Sequence, residues 1–194
     1  MLGNQELIWS KVPRPEQDPM GAKTVYTIGH STHSLAEFAE MLESFDIQTL
    51  VDIRGMPGSS KFPHFNKEVL EVSMEEMGIH YLHLAGLGGR RKVHKDSKNT
   101  RWEKASFRGY ADYMETAEFE AAAAQLEQIA RKQRTAYMCA EAVWWRCHRS
   151  MVSDHLKAKG WTVMHIMAIG KAQEHRYTAP ARNIGGKVFY NEEA

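Results

Sequence analysis

Cysteine is scarce in this chain: two in 194 residues, Cys139 and Cys147. Two cysteines cannot build the multi-bridge framework of a small secreted domain, so they read as thiols that are buried, metal-bound or reactive. A charge surplus is also missing. The 25 Lys and Arg nearly cancel the 24 Asp and Glu, for a formal net charge of +1, so any polyanion site must be a local patch. No apolar run approaches the length of a membrane span, and no internal repeat or low-complexity tract is visible. The opening "MLGNQELIWSKVPRPEQDPMGAKT" lacks the basic start and apolar centre of a signal peptide. It reads as a polar extension over residues 1–23 with three prolines, and the cytoplasm is the expected compartment. Walker A and Gly-x-Gly-x-x-Gly sequences are absent too, which removes the standard nucleotide fingerprints.

What is present is an ordinary globular composition, 43% hydrophobic and 25% charged, in a chain long enough for one domain with a real core. Val25 to Ile28 is a β-prone run. "SLAE" then forms a capping box, Ser34 at the N-cap and Glu37 three residues on, ahead of Leu35, Phe38, Leu42 and Phe45 at helical spacing. "IQTLVDIRG" reads as a second strand. A helix capped by Asn66 and stopped by Gly78 follows, then a third strand, "IHYLHLAG". After a polar segment from Gly86 to Ala105, a helix from about Thr116 precedes the strand "TAYMCAE". A helix from about Cys147 with Gly160 past its end precedes the strand "TVMHIMA". "KVFY" suits an edge strand or a short arm. Strands alternating with helices predict an α/β fold: a three-layer sandwich with a mainly parallel sheet of about five strands and helices on both faces. A single domain is expected over residues 24–170, with 171–194 as a C-terminal tail or arm.

The unusual polar residues fall at the ends of the predicted strands. His30 and Ser31 follow the first, Asp52 and Arg54 the second, and Gly88, Gly89, Arg90, Arg91 and Lys92 the third. Cys139 and Glu141 end the fourth, and Cys147, His148 and Arg149 open the next helix. In a parallel sheet these ends share one edge, the usual ligand edge of open α/β folds. Each residue also has a structural reading: His30 as a turn cap, Asp52 with Arg54 as a salt bridge on one strand face. From Arg90 to Lys104 there are seven Lys and Arg against Asp96 and Glu103, interleaved with Trp102 and followed by Phe107. Such a segment suits phosphates and stacked bases, or is a solvated mobile loop.

"CAEAVWWRCHR" is the densest stretch. A helix start supplies free amides and partial positive charge, which favours an anion and would lower the Cys147 thiol pKa. Glu141 can serve as acid or base. Of the tryptophans, one ring is expected in the core and the other, Trp144, against the pocket. A Cys-x5-Arg phosphatase loop is absent, since Cys139 meets Arg146 one residue late and Cys147 has Ser153 six on. No close Cys or His pair announces zinc, so no cofactor is expected. Metal on Cys139, Cys147, His30 and His148 is a disfavoured alternative.

"YTIGHS", "LVDIRGMPGS", "FPHFN", "YLHLAGLGGRRK", "FRGYADYM" and "CAEAVWWRCHR" occur in this order. Together they resemble the domain of unknown function 488 family, over about Tyr26 to Ile166. The resemblance implicates Gly29, His30, Ser31, Asp52, Arg54, Gly88, Gly89, Arg90, Tyr110, Cys139, Glu141, Cys147, His148 and Arg149, and implies no particular reaction.

The leading expectation is an enzyme acting on a phosphate-bearing substrate, a nucleotide or nucleic acid, by hydrolysis or repair chemistry. Glu141, Asp52, His30, Cys147 and His148 are the candidate catalytic residues. Ser31, Arg54, Gly88, Gly89, Arg90, Arg91, Tyr110, Trp144 and Arg149 are the candidate binders. Two rivals stand beside it: a non-catalytic nucleic-acid or anion-binding module, and a thiol-redox or metal protein built on Cys139 and Cys147.

Overall fold

The computed structural model describes residues 23–192. The predicted extension over 1–23 therefore lies, apart from Lys23, outside the described residues. Five strands run parallel: β1 (Thr24–Gly29), β2 (Thr49–Asp52), β3 (His80–His83), β4 (Thr135–Cys139) and β5 (Thr162–Ala168). A sixth strand, β6 (Lys171–Glu174), returns antiparallel to β5, giving the order β3-β2-β4-β1-β5-β6. β6 has the sequence Lys-Ala-Gln-Glu and faces solvent, so no apolar alternation marks it in the sequence. A hairpin of β7 (Arg182–Ile184) and β8 (Lys187–Phe189) follows. The chain beyond residue 170 thus adds an edge strand and then folds back, burying Tyr190.

Helices cover both faces, as the strand–helix alternation predicts. On one, α1 (Leu35–Glu43) and α2 (Lys67–Glu76) bury Phe38, Leu42, Leu70 and Met74 against Ile28, Leu50 and Met138. On the other, α3 (Ala105–Met114), α4 (Ala117–Ala130) and α5 (Arg149–Ala158) bury Tyr110, Phe119, Leu126 and Val152 against Val25, Val51, Tyr137 and Val163. Tyr137 and Met138, adjacent on β4, feed opposite cores, as the two-residue period of a strand requires. Among the described residues no helix is long and apolar enough to cross a membrane.

The helix starts follow local chemistry. Ser34 Oγ accepts the Glu37 amide and Thr116 Oγ1 accepts that of Phe119. Asn66 stands at the α2 N-cap, but its side chain takes the Ser59 amide instead. α5 starts two residues later than its sequence suggests, with His148 at the N-cap and the Arg149 amide 3.5 Å from Cys147 Sγ. α3 has no counterpart among the predicted elements. Gly109 sits in its middle because the preceding loop crosses there: a Cβ would come within 2.5 Å of the Arg91 carbonyl oxygen. That loop is laid down on α3 by side chains. Asp112 accepts the His94 amide, Ser97 Oγ and Asn99 Nδ2, while Tyr110 and Tyr113 donate to the Leu87 and Gly86 carbonyls.

Candidate functional site

A cavity of about 1030 Å³ opens at the C-terminal edge of the parallel strands. The sheet brings His30, Ser31, Arg54, Cys139 and Glu141 to its wall. The loop after β3 adds Gly89, Arg90 and Arg91, and the approach to α5 adds Arg146, Cys147 and His148. Tyr110 reaches it from α3. Lys61 and Phe62, from the segment after β2, also line it. The sequence alone assigns neither to the site, although "SSKFPHF" does place a cation and two phenyl rings just past a strand end.

Two backbone features shape the edge. At Gly29 a side chain would run into the Glu141 carbonyl and the Arg149 guanidinium, so this crossing of strand end and loop needs glycine. Ser31 and Arg90 both line the cavity at positive φ, 48° and 62°. L-residues pay for that conformation; of the three non-glycine residues that adopt it among the described residues, these two fall at the site and the third, Asp46, lies in the turn ahead of β2.

Four expected site residues lie behind the wall. Asp52 is buried and saturated: its oxygens accept from the Arg54 amide, Nε and Nη2 and from Tyr81 OH at 2.6–3.0 Å. It orients Arg54 and does not face the cavity, so it is not placed to act as a base. Arg149 is 1% exposed. Its guanidinium donates to Thr27 Oγ1 at 3.1 Å and to the Glu141 and Ala142 carbonyls at 2.8 and 3.3 Å. It therefore braces the loop that carries Glu141 and does not reach a ligand. Trp144 turns away from the cavity and stacks on His165, with centroids 4.3 Å apart and planes within 2°. Gly88 supports the wall from behind, packed so closely on Gly55 that a Cβ would meet its Cα at 2.7 Å.

Electrostatics separate the residues that remain. Burial opposes the charge of Arg54, but the hydrogen bonds and charge of Asp52 hold it ionised. Burial, reinforced by Arg54, pulls His30 down to about 4, so it is neutral near pH 7. Its ring is already engaged: Nδ1 lies 3.1 Å from the Ser31 carbonyl and Nε2 lies 3.4 Å from Arg54 Nη1. Glu141 is exposed on the cavity rim with its carboxylate free of any hydrogen bond or ion pair among the described residues. The thiols diverge. The hydrogen bond between them, followed by His148 and Arg149, pushes Cys147 well down against the effect of burial. The same hydrogen bond, with burial, pushes Cys139 well up. His148 Nδ1 stands 3.6 Å from Cys147 Sγ and 3.9 Å from Cys139 Sγ.

A family model described as "Domain of unknown function DUF488" matches residues 34–156. These 123 positions are more than half of the chain, and the chain belongs to that family. The match takes in every cavity residue from Arg54 to His148 and leaves His30 and Ser31 outside. No curated protein and no solved structure matches the chain.

Proposed function

We propose that this member of the DUF488 family is an enzyme acting on a phosphate-bearing substrate, a nucleotide or nucleic acid, held in the cavity at the strand ends. One observation carries the reading. Arg54, Lys61, Arg90, Arg91 and Arg146 line the wall against the single carboxylate of Glu141, in a chain whose net charge is only +1. Asp52 neutralises Arg54. No ion pair among the described residues occupies Arg90 or Arg146, whose guanidiniums are free to take phosphate oxygens in bidentate geometry. Phe62 adds flat apolar surface, with Phe107 and Tyr110 buried behind it, which suits a base or sugar face. The volume is at the upper end of ordinary small-molecule sites and holds a nucleotide with room for a neighbour.

Glu141 is the acid or base of this proposal. It is the only carboxylate on the wall, and general acid–base catalysis by one positioned group contributes about 10²–10⁴-fold. A binding module without chemistry is the second reading, and Glu141 separates the two. Binding of a nucleoside monophosphate and of a single-stranded oligonucleotide is measured against the unphosphorylated nucleoside, at two salt concentrations. Phosphate-dependent binding that weakens with salt is expected, and equal binding of the bare nucleoside overturns the proposal. Glu141→Gln is then assayed for turnover of whichever ligand binds. Turnover lost with binding kept supports the enzyme; turnover absent from the unaltered protein on every bound ligand favours the module.

A further inference from the structure

We propose that Cys139, Cys147 and His148 form a binding site for one divalent thiophilic metal ion, zinc by its donor set, with an open coordination position facing the cavity. The sulfur and nitrogen atoms of the three residues lie within 4.8 Å of one another. A tetrahedral zinc ion with Zn–S about 2.3 Å and Zn–N about 2.0–2.1 Å demands S···N edges of about 3.6 Å. The observed separations from His148 Nδ1 are 3.6 and 3.9 Å, so the donors already stand near the positions an ion needs.

The imidazole is set for this task. His148 Nε2 lies 3.3 Å from the Ile53 carbonyl oxygen. A carbonyl only accepts, so the ring proton belongs on Nε2 and the Nδ1 lone pair is turned toward the sulfurs. A carbonyl orienting the far nitrogen is the usual support of a metal-bound histidine. The space beside the ring is kept by Gly89, where a Cβ would come within 2.9 Å of Nδ1. Two thiolates balance a dication, with the thiol protons released to solvent on binding. Arg149 does not occupy the site, because its guanidinium is committed to Thr27, Glu141 and Ala142.

All three residues line the cavity. Three protein ligands with a fourth position open to a cleft is the pattern of a reactive site, whereas a structural zinc is closed by four. The spacing disfavours metal only when ligands are sought close together in the chain. Here a strand end supplies Cys139 and a helix start supplies the other two, and the fold closes the gap.

The test uses the full chain, freed of metal by chelator under reductant. Zinc is titrated against a chromophoric competitor, and cobalt(II) is added separately as a spectroscopic probe. One zinc per chain is expected, with a tetrahedral cobalt spectrum showing thiolate charge-transfer absorption and both thiols protected from alkylation. Cys139→Ser, Cys147→Ser and His148→Gln should each weaken zinc by more than the about 10–100-fold that losing a ligand-orienting partner costs. Gly89→Ala retains every ligand and should weaken it less. Thermal melts confirm that each variant is folded. Sub-stoichiometric zinc in the unaltered chain, zinc retained undiminished by the folded serine variants, or a cobalt spectrum without thiolate absorption overturns the proposal. No phosphate ligand enters the experiment, so its failure leaves the anion reading standing and the reverse also holds.

Discussion

Helix α5 carries a buried polar cluster at each of two places, and the two are built on opposite terms. At its start, Cys147 and His148 meet Cys139 on the wall of the cavity. One to two turns later, Asp154 meets the returning C-terminal chain. Its Oδ1 accepts His175 Nε2 and the Thr178 amide, and its Oδ2 accepts Thr178 Oγ1 and Tyr190 OH. His175 Nδ1 in turn receives His165 Nε2 at 2.9 Å, and Trp144 lies flat on His165. Both clusters hold histidine with an acceptor fixing one ring nitrogen. In the second, every carboxylate lone pair is filled from within the chain. In the first, sulfurs and a ring nitrogen face one another beside open space. A buried carboxylate filled from within the chain marks a clasp, and donors left facing a cavity mark a place for something else.

The largest expected effect tests the clasp. Asp154→Ala leaves the buried His175 and Tyr190 donors and the half-buried Thr178 donors without acceptors. A loss of about 3–5 kcal/mol is expected in urea unfolding, the scale of breaking a buried charged network. The tail from about residue 175 should become protease-sensitive first. A loss below about 1 kcal/mol would show that the Asp154 cluster holds nothing and would break the comparison.

The next effect is read in pH. Burial, and then the charges of His175 and Arg149, pull His165 down to about 2. Its Nδ1 is buried without a partner, so a second ring proton has nowhere to go. The folded state keeps the ring neutral while the unfolded chain protonates near 6.5. This histidine's contribution is therefore full above about 6.5 and is lost as pH falls toward 2, at about 1.4 kcal/mol per pH unit. His165→Phe preserves a flat ring against Trp144 and should remove that slope between pH 6 and 4, measured by denaturant unfolding at several pH values. An unchanged acid slope would mean that the cluster takes up protons and is not closed.

The sequence displays the edge of this site better than its depth. Strand ends are legible from β-prone runs and turn residues, and the alternation of strand and helix puts those ends together. Ser34 and Thr116 announce their helices because capping is local. Arg149 is a different case. Its partner Thr27 lies 122 residues away, and nothing near Arg149 separates a guanidinium aimed at solvent from one aimed inward. Trp144 escapes for the same reason, since burial behind the wall is decided by packing across the sheet; Asp52 is half legible, because strand alternation offers its salt bridge to Arg54 but not its burial. β6 is missed because an exposed antiparallel edge strand carries no apolar alternation, and α3 because Gly109 and the polar residues around it hide a helix that packs on a loop. Lys61 and Arg146 are the reverse case: ordinary exposed cations in sequence that the fold turns toward one cavity.

The smallest effect is the sharpest test of the contrast, because stability and binding should move apart. Arg90 holds φ at 62° on the cavity rim and is exposed, with no ion pair among the described residues. An L-residue there carries about 1–2 kcal/mol of local cost that glycine does not. A clasp residue would repay such a cost through its own contacts. A cavity residue in the proposed role repays it only when ligand is bound. Arg90→Gly should therefore be at least as stable as the unaltered chain, and about 1 kcal/mol more stable than Arg90→Ala, which keeps the strained backbone and loses the side chain. The greater freedom of glycine in the unfolded chain takes back part of the gain. Both variants lose the guanidinium, so both should weaken oligonucleotide binding and flatten its salt dependence by about one phosphate contact. Unfolding curves and salt-dependent binding isotherms on the two variants check this together. If both variants unfold more easily than the unaltered chain while binding is untouched, Arg90 belongs with the clasp residues and the cationic wall loses a member.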